Sequence, residues 1–317
     1  MYFMKAKPWI PWICFVVVYI LNFWVASRLP GFPVEEALGS VIILGVFFFG
    51  IAYVLSRRET PVQEPKALQQ NEPYILSGTF VLVSVALIFG NDIIGFLVPD
   101  SVSNSLAAKE VVTLVRKVLV FVIVPFLVYK YLFGFSLRDF GLITVAKKIF
   151  SGRNVFIFIC MALLFTLLQW FGGRAAEPIR SGEFSGVELM VGMPLAFIWL
   201  FIEVGLVEEF FFRALLQDRI SVLTNSTSWG IVLASLLFGL AHAPGMYFRE
   251  AGTIEGLGEN PSVIATISYC IAVQATAGLP FAMIWSKTRN LWLLMAIHAA
   301  ADLLSNYPSL MSAFNNF

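Results

Sequence analysis

Four charged side chains, Glu203, Glu208, Glu209 and Arg213, sit within F-I-E-V-G-L-V-E-E-F-F-F-R-A-L-L-Q-D-R, residues 201–219, a run otherwise suited to the interior of a bilayer. Each such group costs about 2.5–3.5 kcal/mol at the centre of a transmembrane helix. A chain that carries them there pairs them, uses them in chemistry, or both. The two histidines of the sequence, His242 and His298, also lie in apolar helical context, and Asp302 follows the second by four positions. Carboxylates, imidazoles and a guanidinium are the groups that move protons and stabilise developing charge. A lone histidine on an apolar face is ordinarily a satisfied core residue. Here buried carboxylates on the same chain weaken that reading.

Helical spacing assigns these residues partners. Glu209 and Arg213 are four apart, share a face, and have the glutamate on the N-terminal side, as such pairs prefer. Glu208 is rotated by about 100° from its neighbour. The sequence therefore predicts a structural clamp, Glu209 with Arg213, and a reactive acid or base in Glu208. Glu203 receives no role. Phe238 and His242 are four apart, and Ala243-Pro244-Gly245 ends their helix. His298 and Asp302 share a face, so that Asp302 is expected to hold the ring and set its tautomer. Counted along their helices from one surface, Glu208, His242 and His298 lie at about 16, 21 and 10 Å. Those depths fit one intramembrane layer.

The elements that must carry these groups are apolar spans. The chain has 317 residues, 59% hydrophobic and 13% charged, against roughly 25% charged in soluble domains. All-α architecture is expected, because backbone groups in lipid must be satisfied within each segment. We read a polytopic transmembrane helix bundle of about eight or nine spans: 9–26, 37–55, 74–98, 111–133, 155–171, 194–217, 229–243, 263–285 and 291–304. The first is read as an uncleaved helix rather than a signal peptide, since it is long and holds Pro11 and tryptophans. Arg116 and Lys117 near the start of the fourth place its membrane boundary a little later, and 172–188 is read as a polar connection. Lys and Arg in the connections favour a cytoplasmic N-terminus. Residues 1–153 form N-terminal transmembrane helices without an assigned role, and 154–306 a core carrying the reactive residues. The net charge of +1 and the lack of a basic patch speak against nucleic acid as a partner. Cys14, Cys160 and Cys270 have neither metal-site nor disulfide spacing and are read as buried small side chains. The 31 phenylalanines are read as packing and lipid-facing bulk.

Three motifs in order, Glu208-Glu209-x-x-x-Arg213, Phe238-x-x-x-His242 and His298-x-x-x-Asp302, each in its own apolar span, resemble the signature of the CPBP family. This is the CAAX-protease and bacteriocin-processing group, also called ABI or type II CAAX prenyl endopeptidases. The resemblance covers about 194–304. Leu137-Arg138-Asp139-Phe140-Gly141-Leu142 is similar to a short polar segment that often precedes the family core. The resemblance implies an intramembrane endopeptidase acting on a membrane-anchored or lipidated peptide or protein, with membrane lipid around it. Glu208 and His242 would activate a water, Glu209 and Arg213 would support the site, and the third motif would stabilise the oxyanion. An ionised Asp cannot donate a hydrogen bond, so His298 is the expected donor and Asp302 its orienting partner.

Independently of the resemblance, peptide hydrolysis needs a base, an oxyanion donor and an acid for the leaving amine. No Gly-x-Ser-x-Gly elbow and no cysteine beside a histidine motif occurs, which leaves water as the nucleophile. No His-Glu-x-x-His helix is present, and the expected cofactor is none. The alternative is a divalent metal such as zinc held by His242, His298 and Glu208. Two further readings stay open. A proton-coupled transporter or channel would use the same buried groups, but no internal repeat supports it. A non-catalytic immunity or scaffold protein would not require the complete motif set.

Overall fold

The computed structural model describes residues 7–97, 105–143, 149–248, 257 and 260–314. Lys5, Asp100, Lys147, Lys148, Arg249, Glu250, Glu255 and Glu259 lie outside the described residues, and part of the loop-charge argument goes with them. The principal elements, all helical, are α1 Ile10–Ala26, α2 Val34–Ser56, α3 Glu72–Leu97, α4 Leu106–Phe133, α5 Gly152–Gly172, α6 Gly186–Leu223, α7 Thr227–Tyr247, α8 Val263–Thr288 and α9 Leu291–Phe314. Among the described residues seven helices, α2 to α8 (α3 as Glu72–Gly90), are long and apolar enough to cross a membrane, and α1 is a shorter apolar helix. The chain is a multi-pass membrane protein with the helical-bundle architecture that its composition predicts.

Local chemistry marks the helix ends. α4, α5, α6, α7 and α8 each start behind a serine, Ser105, Ser151, Ser185, Ser226 and Ser262, whose hydroxyl accepts a backbone N–H three residues on. Such caps satisfy donors that have no partner within the helix. At Ser185 the exchange is reciprocal, because Glu188 accepts from the Ser185 backbone N–H. This capping box starts α6 at Gly186, inside the stretch read as a polar connection, so the helix is longer than the predicted 194–217. α9 likewise runs past 304 to Phe314, since Tyr307, Leu310 and Ala313 continue its buried stripe. α4 begins at Leu106, ahead of the predicted 111, which puts Lys117 well inside the helix. α4 ends at Gly134, whose φ of +64° is the left-handed cap that glycine adopts freely.

The chain forms two compact units that interleave in sequence, 1–88 with 212–289 and 89–211 with 290–317. In the first unit α7 packs on α8 at Gly239. A Cβ there would lie 2.5 Å from Ala275 N and 2.7 Å from Cys270 O. Small residues permit this approach of two backbones, which replaces the hydrophobic drive that lipid does not supply. Tyr19 donates to Ile271 O at 2.6 Å and Asn22 to Ser268 O at 2.9 Å, tying α1 to α8. Buried ion pairs close one end of the unit. Arg219 meets Glu72 at 3.1 Å, and Asp218 pairs with Arg289 while accepting from Trp285 Nε1 at 2.9 Å. Arg289 has a φ of +48°, a left-handed conformation unusual for a non-glycine residue, and this ion pair holds it.

In the second unit α9 packs between α5 and the first part of α6. Its core joins Ala196, Leu200 and Val204 to Ala299, Leu304, Tyr307 and Leu310. Tyr307 donates to Glu188 O at 2.7 Å, and Gln169 Oε1 accepts from Ser305 N at 3.1 Å. Phe140 of the short polar segment is buried against Phe210, with ring centroids 4.7 Å apart, and Trp292 Nε1 donates to Leu142 O at 3.1 Å. The phenylalanines thus include packing groups next to the acidic pair. Cys270 is buried, as expected, whereas Cys14 is exposed. Gly205 lies against α9, where a Cβ would meet Met295 O at 2.7 Å and Met295 Cα at 3.0 Å. Those atoms are backbone and cannot swing aside. Gly205→Ala is therefore expected to destabilise the protein by about 1–3 kcal/mol, read as a lowered thermal unfolding midpoint in detergent.

Candidate active site

α6 carries the acidic pair through an irregular stretch. Two π-helical runs, Phe201–Leu206 and Glu209–Gln217, flank Glu208. Wide π-helical turns recur at functional sites. They also remove the basis for a uniform 100° phase, and both carboxylates turn to one imidazole.

In the second unit Glu209, fully buried, accepts from His298 Nδ1 at 2.7 Å. On the other edge of the ring, Nε2 lies 3.8 Å from Glu208 Oε2 and 3.9 Å from Asp302 Oδ2. Both distances exceed a direct hydrogen bond. The side chains grade outward from Glu209 at 0% exposure through Glu208 at 16% to Asp302 at 33%. The site therefore has a closed end at Nδ1 and an open end at Nε2.

The short contact to His298 Nδ1 comes from Glu209, a partner the sequence does not predict, while Asp302, the predicted partner, faces Nε2 at 3.9 Å. A buried hydrogen bond to a charged group contributes about 1.5–3 kcal/mol, and α9 supplies the partner for this one.

In the first unit Arg213, Phe238 and His242 form a stack. The Arg213 guanidinium lies 4.5 Å from the Phe238 ring centroid, and the Phe238 and His242 centroids are 4.8 Å apart. Arg213 also donates to Gly278 O at 3.4 Å and lies over Phe281. His242 stands at the junction where the helix ending at Ala241 gives way to a short turn beginning at Ala243. Pro244 brings no N–H to this junction. His242 Nδ1 instead donates to the carbonyl of Phe238 at 2.8 Å. A carbonyl only accepts, so Nδ1 carries the proton, and in the neutral ring Nε2 is left as the acceptor. That is the tautomer a general base requires.

Two further charged residues complete the second unit's polar set. Lys117 of α4 forms an ion pair with Glu203 of α6. The sequence places Lys117 at a membrane boundary and leaves Glu203 without a role. The signal that joins them is that opposite charges on apolar helices are candidates for one another. Among the described residues no group of three or more His, Cys, Asp and Glu side chains has a spacing that could hold a metal ion.

A helical membrane bundle with buried glutamates, histidines and an arginine defines a class of intramembrane sites. Residues 190–304 match the family model for Rce1-like type II CAAX prenyl endopeptidases. This places that stretch of the chain, with all three motifs, in the CAAX-protease family. Neither the curated proteins nor the solved structures contain a match to the chain.

Proposed function

We propose that this protein is an intramembrane endopeptidase that hydrolyses a peptide bond of a membrane-anchored or lipidated substrate with an activated water. The single observation that carries the proposal is the Glu209–His298 contact at 2.7 Å, with Glu208 on the opposite edge of the ring, inside the family-matched segment. Glu208 takes the proton of the attacking water. His242 joins it in this task through the motif order, and its tautomer leaves Nε2 to accept. His298, held at Nδ1 by Glu209 and protonated at Nε2, donates to the oxyanion as the carbonyl becomes tetrahedral. The proton collected by Glu208 returns to the leaving amine. Asp302 stands at the open edge of the ring, and Arg213 with Phe238 backs His242. The N-terminus is proposed to be cytoplasmic.

The test is cleavage of a prenylated, internally quenched peptide by the purified chain in liposomes made with ¹⁸O water. The expected result is one internal cut with ¹⁸O in the new carboxyl group, undiminished after dialysis against EDTA. Activity lost on chelation and restored by a divalent metal would return the metal alternative. Proton-coupled uptake with no cleavage would support the transporter reading and overturn this one.

A further inference from the structure

α4 brings a charge to the acidic pair from outside the family-matched stretch. Its lipid face carries Leu106, Val111, Val115 and Leu119, all about half exposed. Glu110, Thr113, Lys117 and Phe121 follow one another at helical spacing and turn inward, with Phe121 buried edge-on against Phe211 at 5.5 Å between centroids. One turn before Phe121, Lys117 pairs with Glu203. The same ammonium interacts electrostatically with the carboxylates of Glu208 and Glu110. Glu203 precedes Glu208 by five residues on α6, so the ion pair brings the lysine to the part of α6 that carries the acid.

This arrangement answers a requirement of the chemistry. A carboxylate that must stay ionised in a poorly solvated place needs a compensating positive charge. A lysine bonded directly to Glu208 would occupy the oxygens that have to receive the water proton. Opposite charges still attract across several ångströms where the surroundings screen weakly. Glu203 takes the direct contact and leaves Glu208 the field. Stability alone is a weak reason for the pair, because apolar residues of similar volume often serve a buried site as well or better.

We propose that Lys117, anchored by Glu203, is a positioning residue for Glu208 that compensates its charge through space. This rests on Glu208 being the base. The experiment compares Lys117→Arg, Lys117→Met and the double variant Lys117→Met/Glu203→Gln with wild type, as full chains in liposomes, on the same quenched prenylated peptide. Lys117→Arg is expected to keep kcat within about threefold. Lys117→Met and the double variant are expected to lose about ten- to a hundredfold in kcat with KM within about twofold. The double variant removes both members of the direct ion pair, so its unfolding midpoint should stay closer to wild type than that of Lys117→Met. A double variant with wild-type kcat makes the pair purely structural and overturns the proposal. Should the double variant fail to fold, Lys117→Arg decides, and a loss as large as that of Lys117→Met overturns it. The underlying assignment has its own control. If Glu208→Gln cleaves normally, the base is misassigned. If Glu208→Gln is dead and the Lys117 variants are normal, only the role of Lys117 falls.

Discussion

Glu208→Gln is expected to lower kcat by about 10³-fold or more, within the contribution a general base makes to proton transfer. The substitution keeps the shape of the side chain and removes the charge and basicity. Glu208 is only partly exposed, at 16% of its side-chain surface, and its neighbour Glu209 carries the short contact to His298. The fold should therefore survive, and the thermal midpoint of the variant in detergent should match wild type. The companion change is His242→Asn. An asparagine amide can still donate to the Phe238 carbonyl that His242 Nδ1 serves, but it offers no basic nitrogen. It is expected to fall by a comparable factor with the helix junction intact. Wild-type rates from both variants would remove these two residues from the chemistry.

The second large effect separates Glu209 from Asp302. Glu209→Gln is expected to cost about 10²-fold in kcat, equivalent to about 2.7 kcal/mol of transition-state stabilisation. A glutamine still accepts from His298 Nδ1 but no longer supplies the negative charge that balances a ring protonated on both nitrogens. Asp302→Asn, 3.9 Å from Nε2 and one-third exposed, is expected to stay within about threefold. The comparison is made on kcat at saturating peptide, with KM measured for each variant. The opposite order, with Asp302→Asn crippled and Glu209→Gln near normal, would restore Asp302 as the residue that orients His298.

Much of this site was legible one helix at a time. Glu208, Glu209 and Arg213 stand out because charges in an apolar run are costly. His242 and His298 stand out because each sits in a span four residues from Phe238 or Asp302. Phe238 does meet His242 ring to ring at 4.8 Å, as two residues one turn apart in one helix can. The links that sequence spacing does not predict are those made to a neighbouring helix. Glu209 turns to His298, 89 positions away, and Lys117 reaches Glu203, 86 positions away. The end of the polar stretch 172–188 departs from expectation for a different reason. Its serine and glutamate are surface-like by composition but form the capping box that starts α6.

The amino-acid sequence by itself determined that the protein lives in lipid, that its regular elements are helices, and that three motifs in order mark an intramembrane site. Those follow from hydropathy, from the need to satisfy backbone groups within each span, and from side-chain chemistry, all of which are local. Only the tertiary structure decided which carboxylate holds which imidazole edge, that Lys117 belongs with Glu203, and that His242 closes a helix through its own Nδ1. Such choices depend on which helices lie side by side and at what rotation. In α6, where π-helical turns flank Glu208, that rotation departs from the regular phase a reader of the sequence must assume.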